Sequence, residues 1–174
     1  MAEQFITYTK HGVAESTLLK ATKVGHHYNL VADVDIDNGS VAKIGKYTKS
    51  DLFKADIPAV GDKIVLILTA PKIYSEYTTK MQEESNFYNG AGDAMRAYEI
   101  QDTDRFTLSA EAFDEDATLE VGQYVGVSGK GYKLTTLGTD KPATATRGFL
   151  GHIYAIAANG NYRIWVDKNA QVEA

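Results

Sequence analysis

The feature that most constrains this chain is its punctuation. Short runs of alternating apolar and polar residues are cut repeatedly by turns containing Gly, and the chain holds 15 Gly and 11 Tyr. Period-two alternation puts successive side chains on opposite faces of an extended strand. One example lies in NLVADVDIDNGS. Leu30, Ala32, Val34 and Ile36 alternate with Val31, Asp33, Asp35 and Asp37, which gives one apolar and one mostly acidic face. Asn38-Gly39 follows, a dipeptide that accepts the positive φ of a tight hairpin turn, and VAKI returns; the register of this hairpin is open. KIVLILT after Gly61-Asp62 is apolar throughout, as expected of a strand buried on both faces or at a barrel centre.

Further along, AMRAYEI and DRFTLSAEAF read as strands joined by the polar turn QDTD. LEVGQYVGVSGKGYKLTTL reads as two strands around Ser128 to Gly131, and GHIYAIAANGNYRIWVDK as two around Asn159-Gly160. About eight to ten short strands at this spacing predict a mainly β fold, a compact antiparallel barrel or sandwich. In residues 72–88, KIYSEYTTKMQEESNFY, Tyr74, Tyr77, Met81 and Tyr88 fall at helical spacing, so one helical insertion is expected there. Residues 1–28 pattern poorly and are expected to form an N-terminal arm that orders on a partner, leaving 29–174 as a single β-rich domain. A chain of 174 residues suits one domain with a real core.

Composition narrows the chemistry. Without cysteine, disulfides, thiol nucleophiles and cysteine metal sites are excluded. The formal charge of -5 is spread along the chain, and no basic block marks a nucleic-acid footprint; KIGKYTKSDLFK, with Lys43, Lys46, Lys49 and Lys54 around Tyr47 and Phe53, reads as a solvated strand and loop. No apolar run approaches the length that spans a bilayer, and MAEQFITYTK lacks the pattern of a secretory leader. Synthesis in a cytoplasm and no membrane contact are therefore expected.

Local motifs for catalysis or ion binding fail on spacing. An EF-hand counted from Asp33 would need Gly at its sixth position and a bidentate Glu at its twelfth, where the chain has Asn38 and Ile44. Aspartates on one strand face also stand side by side rather than converging. VSGKG lacks the P-loop pattern, because Tyr124 and Gly131 occupy the positions of a glycine and a hydroxyl residue. His11, His26, His27 and His152 form no chelating pair, and no serine sits in a nucleophile elbow. The expectation is a non-enzymatic protein with no cofactor and no metal.

Four stretches taken in order, NLVADVDIDNGS, LTAPKIYSE, FYNGAGDAMRAYEIQDTDRFTLSAEAF and LEVGQYVGVSGKGYKL, resemble small structural proteins of tailed bacteriophages, of the kind that decorate or cement the capsid. The similarity covers roughly residues 29–135. It implies a β-rich virion subunit on the capsid exterior, made in the host bacterial cytoplasm, whose partners are the major capsid protein and neighbouring copies. It implies no active site and no direct nucleic-acid contact.

The contact surfaces expected on that basis are Phe5, Ile6, Tyr8, Leu18 and Leu19 in the arm, and Tyr74, Tyr77, Phe87 and Tyr88 in the helical region. The loops at 89–93 and 138–148 are expected at the rim or pointing outward. The alternative reading is a carbohydrate-binding or adhesion domain that would take a host-surface glycan on an aromatic row, such as Tyr162 with Trp165 or Tyr124 with Tyr132.

Overall fold

A computed structural model describes residues 10–71 and 83–172. Among the described residues the chain is mainly β, with eleven strands, and one short helix, α1, at Lys20–Val24. Strands β2 (His27–Val31), β3 (Val41–Lys49), β4 (Leu52–Asp56), β5 (Val65–Ile67) and β6 (Met95–Glu99) close into a barrel in the order β2-β4-β3-β5-β6. Its one parallel pair is β2 with β4. The other six strands form an antiparallel sheet in the order β1-β7-β11-β10-β8-β9. They are β1 (Ala14–Leu18), β7 (Arg105–Leu108), β8 (Tyr124–Val127), β9 (Leu134–Gly138), β10 (Phe149–Ile156) and β11 (Tyr162–Asn169). Barrel and sheet occur together, where the sequence left the choice between barrel and sandwich open.

Two cores follow from the alternation. Leu30, Ala32, Ala42, Ala55, Val65, Ile67, Met95 and Ala97 fill the barrel, and the four alanines suit the narrow interior that five strands enclose. Val41, Ile64, Leu66 and Ile100 instead point outward from the barrel into a larger core shared with Phe106, Leu108, Val125, Phe149, Ile153, Ile164 and Val166 of the sheet. The apolar run at Ile64 therefore has the two-faced burial that its composition predicts.

Buried polar side chains close the seam between the layers. Asn169, at the end of β11, donates from Nδ2 to the carbonyls of Ile64 and Ile100, 2.8 Å each, and accepts at Oδ1 from the Ile64 N–H at 3.0 Å. The Asp104 carboxylate accepts from the Lys20 N–H at 3.2 Å and the Gln101 N–H at 2.9 Å. The segment between β6 and β7 thus carries the chain from barrel to sheet rather than joining two partnered strands.

Two expectations need correction, and a third lies largely outside the described residues. The Asn38-Gly39 turn forms, with Gly39 at φ 84, yet the runs on either side of it are not hairpin partners. β2 pairs with β4 and β6, and the chain leaves the ladder after Val31. Asn38 is buried and bonds both backbone groups of Thr69, at 2.8 and 3.0 Å, while Gly39 N–H donates to Ile67 O; the turn is stitched to the β5 segment instead.

Residues 14–28 belong to the folded body and not to a separate arm. β1 pairs with β7, and Leu19 sits in the large core at 1% exposure. Poor patterning there reflects an edge strand whose residues beyond Ala14 are exposed, which leaves no alternation to read. Of the helical insertion expected at 72–88, residues 72–82 lie outside the described residues, and the remainder holds a 3-10 turn at Glu84–Asn86.

Asn169→Ala should leave three backbone groups at the seam without partners. At roughly 1–3 kcal/mol for each buried unsatisfied group, an overall loss of about 3 kcal/mol or more is expected. Urea unfolding should show a lower midpoint at unchanged slope. A midpoint within error of wild type would mean that the seam relaxes without the amide.

Candidate functional site

The three aspartates of the acidic run diverge. Asp33 pairs with Lys54 at 3.0 Å, Asp35 accepts from the Ala91 N–H at 2.8 Å, and Asp37 takes the His11 ring N–H at 2.8 Å and the Gly12 N–H at 3.1 Å. Their oxygens are committed to separate elements and do not surround a common point. Among the described residues, no three His, Asp or Glu side chains are placed to hold a metal ion. His26 pairs with Glu99, and His152 with Asp167.

A groove of about 220 Å³ lies against the barrel, lined by Tyr28, Lys43, Ile44, Lys63, Val65, Glu99 and Gln171. Its ionic groups neutralise one another. Lys43 Nζ donates to Asp62 Oδ1 at 2.8 Å, and Lys63 bonds Glu99. Burial disfavours the Asp62 carboxylate, but bonds from Lys43, the Ala59 N–H and Gln171 together outweigh it and hold the group below the usual range. Glu99 is held down by the Lys63 bond, against burial, with the charges of Lys63 and His26 assisting. A carboxyl tuned for general acid catalysis is pushed the other way, towards neutrality. The groove therefore reads as an internal electrostatic clasp.

The open face of the six-stranded sheet has a different character. Cross-strand pairing aligns Leu18, Arg105, Trp165, His152 and Tyr124 in one row across β1, β7, β11, β10 and β8. Directly opposed residues share a face, so this row points away from the core while Ile164 and Val166 point into it. The Arg105 guanidinium carbon sits 5.3 Å from the Trp165 ring centroid, and Tyr154 meets that ring edge-on at 6.2 Å.

Arg163, two residues before Trp165, is exposed on the same face. Arg147 reaches over Gly126, with Nη1 3.3 Å from the point where a Cβ would stand. Among the described residues none of these three arginines forms an ion pair, although the chain is acidic overall. Arg105 Nε is buried with no hydrogen-bond partner among them.

Of the contact residues expected from sequence, Leu18 joins this face at 38% exposure, and Tyr88 is 43% exposed beside His11, with ring centroids 4.8 Å apart. Leu19 and Phe87, at 1% and 7%, are buried and offer no surface to a partner. Phe5, Ile6, Tyr8, Tyr74 and Tyr77 lie outside the described residues. The loop 138–148 is largely exposed as expected; in 89–93, Asn89 is buried and bonds Ile36 O and Asn38 Oδ1.

Neither named aromatic pair forms a row. Tyr162 packs edge-on against Phe113 on the core side of β11, opposite Trp165, and the Tyr132 hydroxyl donates to Ala55 O against the barrel, away from Tyr124. Sequence reasoning missed Arg105, Arg147, His152, Tyr154 and Arg163. Alternation in RIWVDK already places Arg163, Trp165 and Asp167 on one face, but which strands lie beside β11 is not written locally. No protein-family model, curated protein or solved structure matches this chain.

Because the carboxyls of Asp62 and Glu99 are depressed in the folded state, their contribution to stability is present above the ordinary carboxyl range, near pH 4, and is lost as pH falls through the lower folded values. The urea midpoint of the wild type should therefore drop as pH is lowered from about 6 to about 3. The double variant D62N/E99Q should be less stable than wild type at the upper pH and show a smaller drop; parallel curves for the two proteins would show that the clasp is not what titrates.

Proposed function

We propose that this chain is a non-enzymatic virion structural protein that decorates or cements the outside of a tailed-phage capsid, binding the major capsid protein and neighbouring copies. The sequence stretches that resemble capsid decoration proteins support this reading, and the observation that carries it is the arginine and aromatic face of the six-stranded sheet. Trp, Tyr and Arg dominate the hot spots of protein interfaces. Here they are seated on a sheet whose opposite side is core, so little ordering entropy is lost on docking.

Leu18 and Tyr88 add apolar surface, and Phe5, Ile6, Tyr8, Tyr74 and Tyr77 remain proposed contacts. Many weak contacts repeated over a shell would sum through avidity. The subunit would be made in the host bacterial cytoplasm and reside on the capsid exterior, with neither nucleic acid nor membrane as partner.

Co-sedimentation with expanded, undecorated phage shells tests the proposal. Wild type should bind saturably, and Trp165→Ala should weaken binding by roughly tenfold or more, the scale of a hot-spot residue. Deleting residues 1–9 should weaken it as well; the longer deletion of 1–28 is uninformative because it also removes β1 and Leu19. A folded wild type that binds no shell, yet is retained on a polysaccharide column, would replace this reading with the carbohydrate-binding one.

A further inference from the structure

The three unpaired arginines call for anions from outside the fold, and the chain carries a matching set. The segment FDEDATLE runs along β9, the end strand of the same sheet. It is anchored by the Asp114 N–H to Leu134 O at 2.8 Å and the Thr118 N–H to Thr136 Oγ1 at 3.0 Å. Phe113 is buried and Ala117 and Leu119 pack on the large core, so the segment is fixed in place. Glu115, Asp116 and Glu120 are exposed, and among the described residues none of them is in an ion pair. The acids on the arginine face itself are already engaged, Asp167 by His152 and Glu15 by Asn159.

Resting on the reading of the chain as a shell subunit, we infer that the arginine face of one copy takes the acidic edge of a second. The occupant is a copy of this chain, and the argument is charge complementarity between two fixed, non-overlapping patches. Because the patches differ, the contact is head-to-tail, so a pair of copies keeps one free patch of each kind and the association propagates or closes into a ring. Arg147 and Arg163 meet the carboxylates as forked donors, and Arg105 on Trp165 supplies the desolvated centre.

Sedimentation velocity of the full chain, without shells, tests the pairing. At low ionic strength the wild type should sediment as species larger than the 19.0 kDa monomer. It should revert towards monomer as salt shortens the screening length from about 30 Å at 0.01 M to about 8 Å at 0.15 M and below. The acidic-edge variant E115K/D116K/E120K and the face variant R147E/R163E should each be monomeric alone. Mixed in equal amounts they restore opposite charge at both junctions, native face to native edge and reversed face to reversed edge, and should associate again.

A wild type that stays monomeric at low ionic strength overturns the inference, as does association that survives either charge reversal, or a mixture that remains monomeric. The shell experiment separates this outcome from its parent. A chain that self-associates but binds no shell leaves the pairing standing and removes the capsid reading, whereas a monomeric chain that saturates shells does the reverse.

Discussion

Everything else in the molecule depends on the two-sided burial of the strand around Ile64–Leu68. Val65 and Ile67 fill the barrel while Ile64 and Leu66 fill the space beneath the sheet. Since successive side chains of a strand must point to opposite faces, a run with no polar member can be satisfied only if both faces are covered. The barrel alone would leave Val41, Ile64, Leu66 and Ile100 in water, and the sheet alone would expose Phe106, Phe149 and Ile153. Neither layer is a domain by itself.

Apolar burial is non-directional, so it does not choose how one layer sits on the other. That choice falls to buried amides and carboxylates with fixed geometry. Asn169 can bond the N–H and C=O of Ile64 and the C=O of Ile100 at once because its amide has two donors and an acceptor; a carboxylate, with no donor, or a hydroxyl, with one, could not satisfy the same set. Asn38 does the same for Thr69. Each misregister of the layers would strand several of these groups in a dry seam, which is how polar contacts of modest net worth select one arrangement.

What could be read from the chain was whatever is local. The hairpins β8 with β9 and β10 with β11 stand where their Gly-containing turns put them, and the fully apolar run became the doubly buried strand. The failures all concern partners distant in sequence. Nothing near Asp33 to Ser40 says that Asn38 will bond Thr69, and the strand Ala14–Leu18 carries no alternation because both of its faces are exposed beyond Ala14. The arginine and aromatic face escaped sequence reading for the same reason. Arg105, His152 and Trp165 come from three strands whose adjacency is set by the sheet order, so only Trp165, conspicuous as the one tryptophan, was singled out from sequence.

The position of β11 has a temporal side. It is the last strand of the described residues, yet it lies in the middle of the six-stranded sheet, between β7 and β10, and it carries Asn169. A growing polypeptide emerging from the ribosome can therefore neither give β7 its second neighbour nor close the seam until β11 has been made. The earlier strands must wait with their apolar faces incompletely covered, which makes the nascent form one that gains from chaperone shelter until β11 arrives.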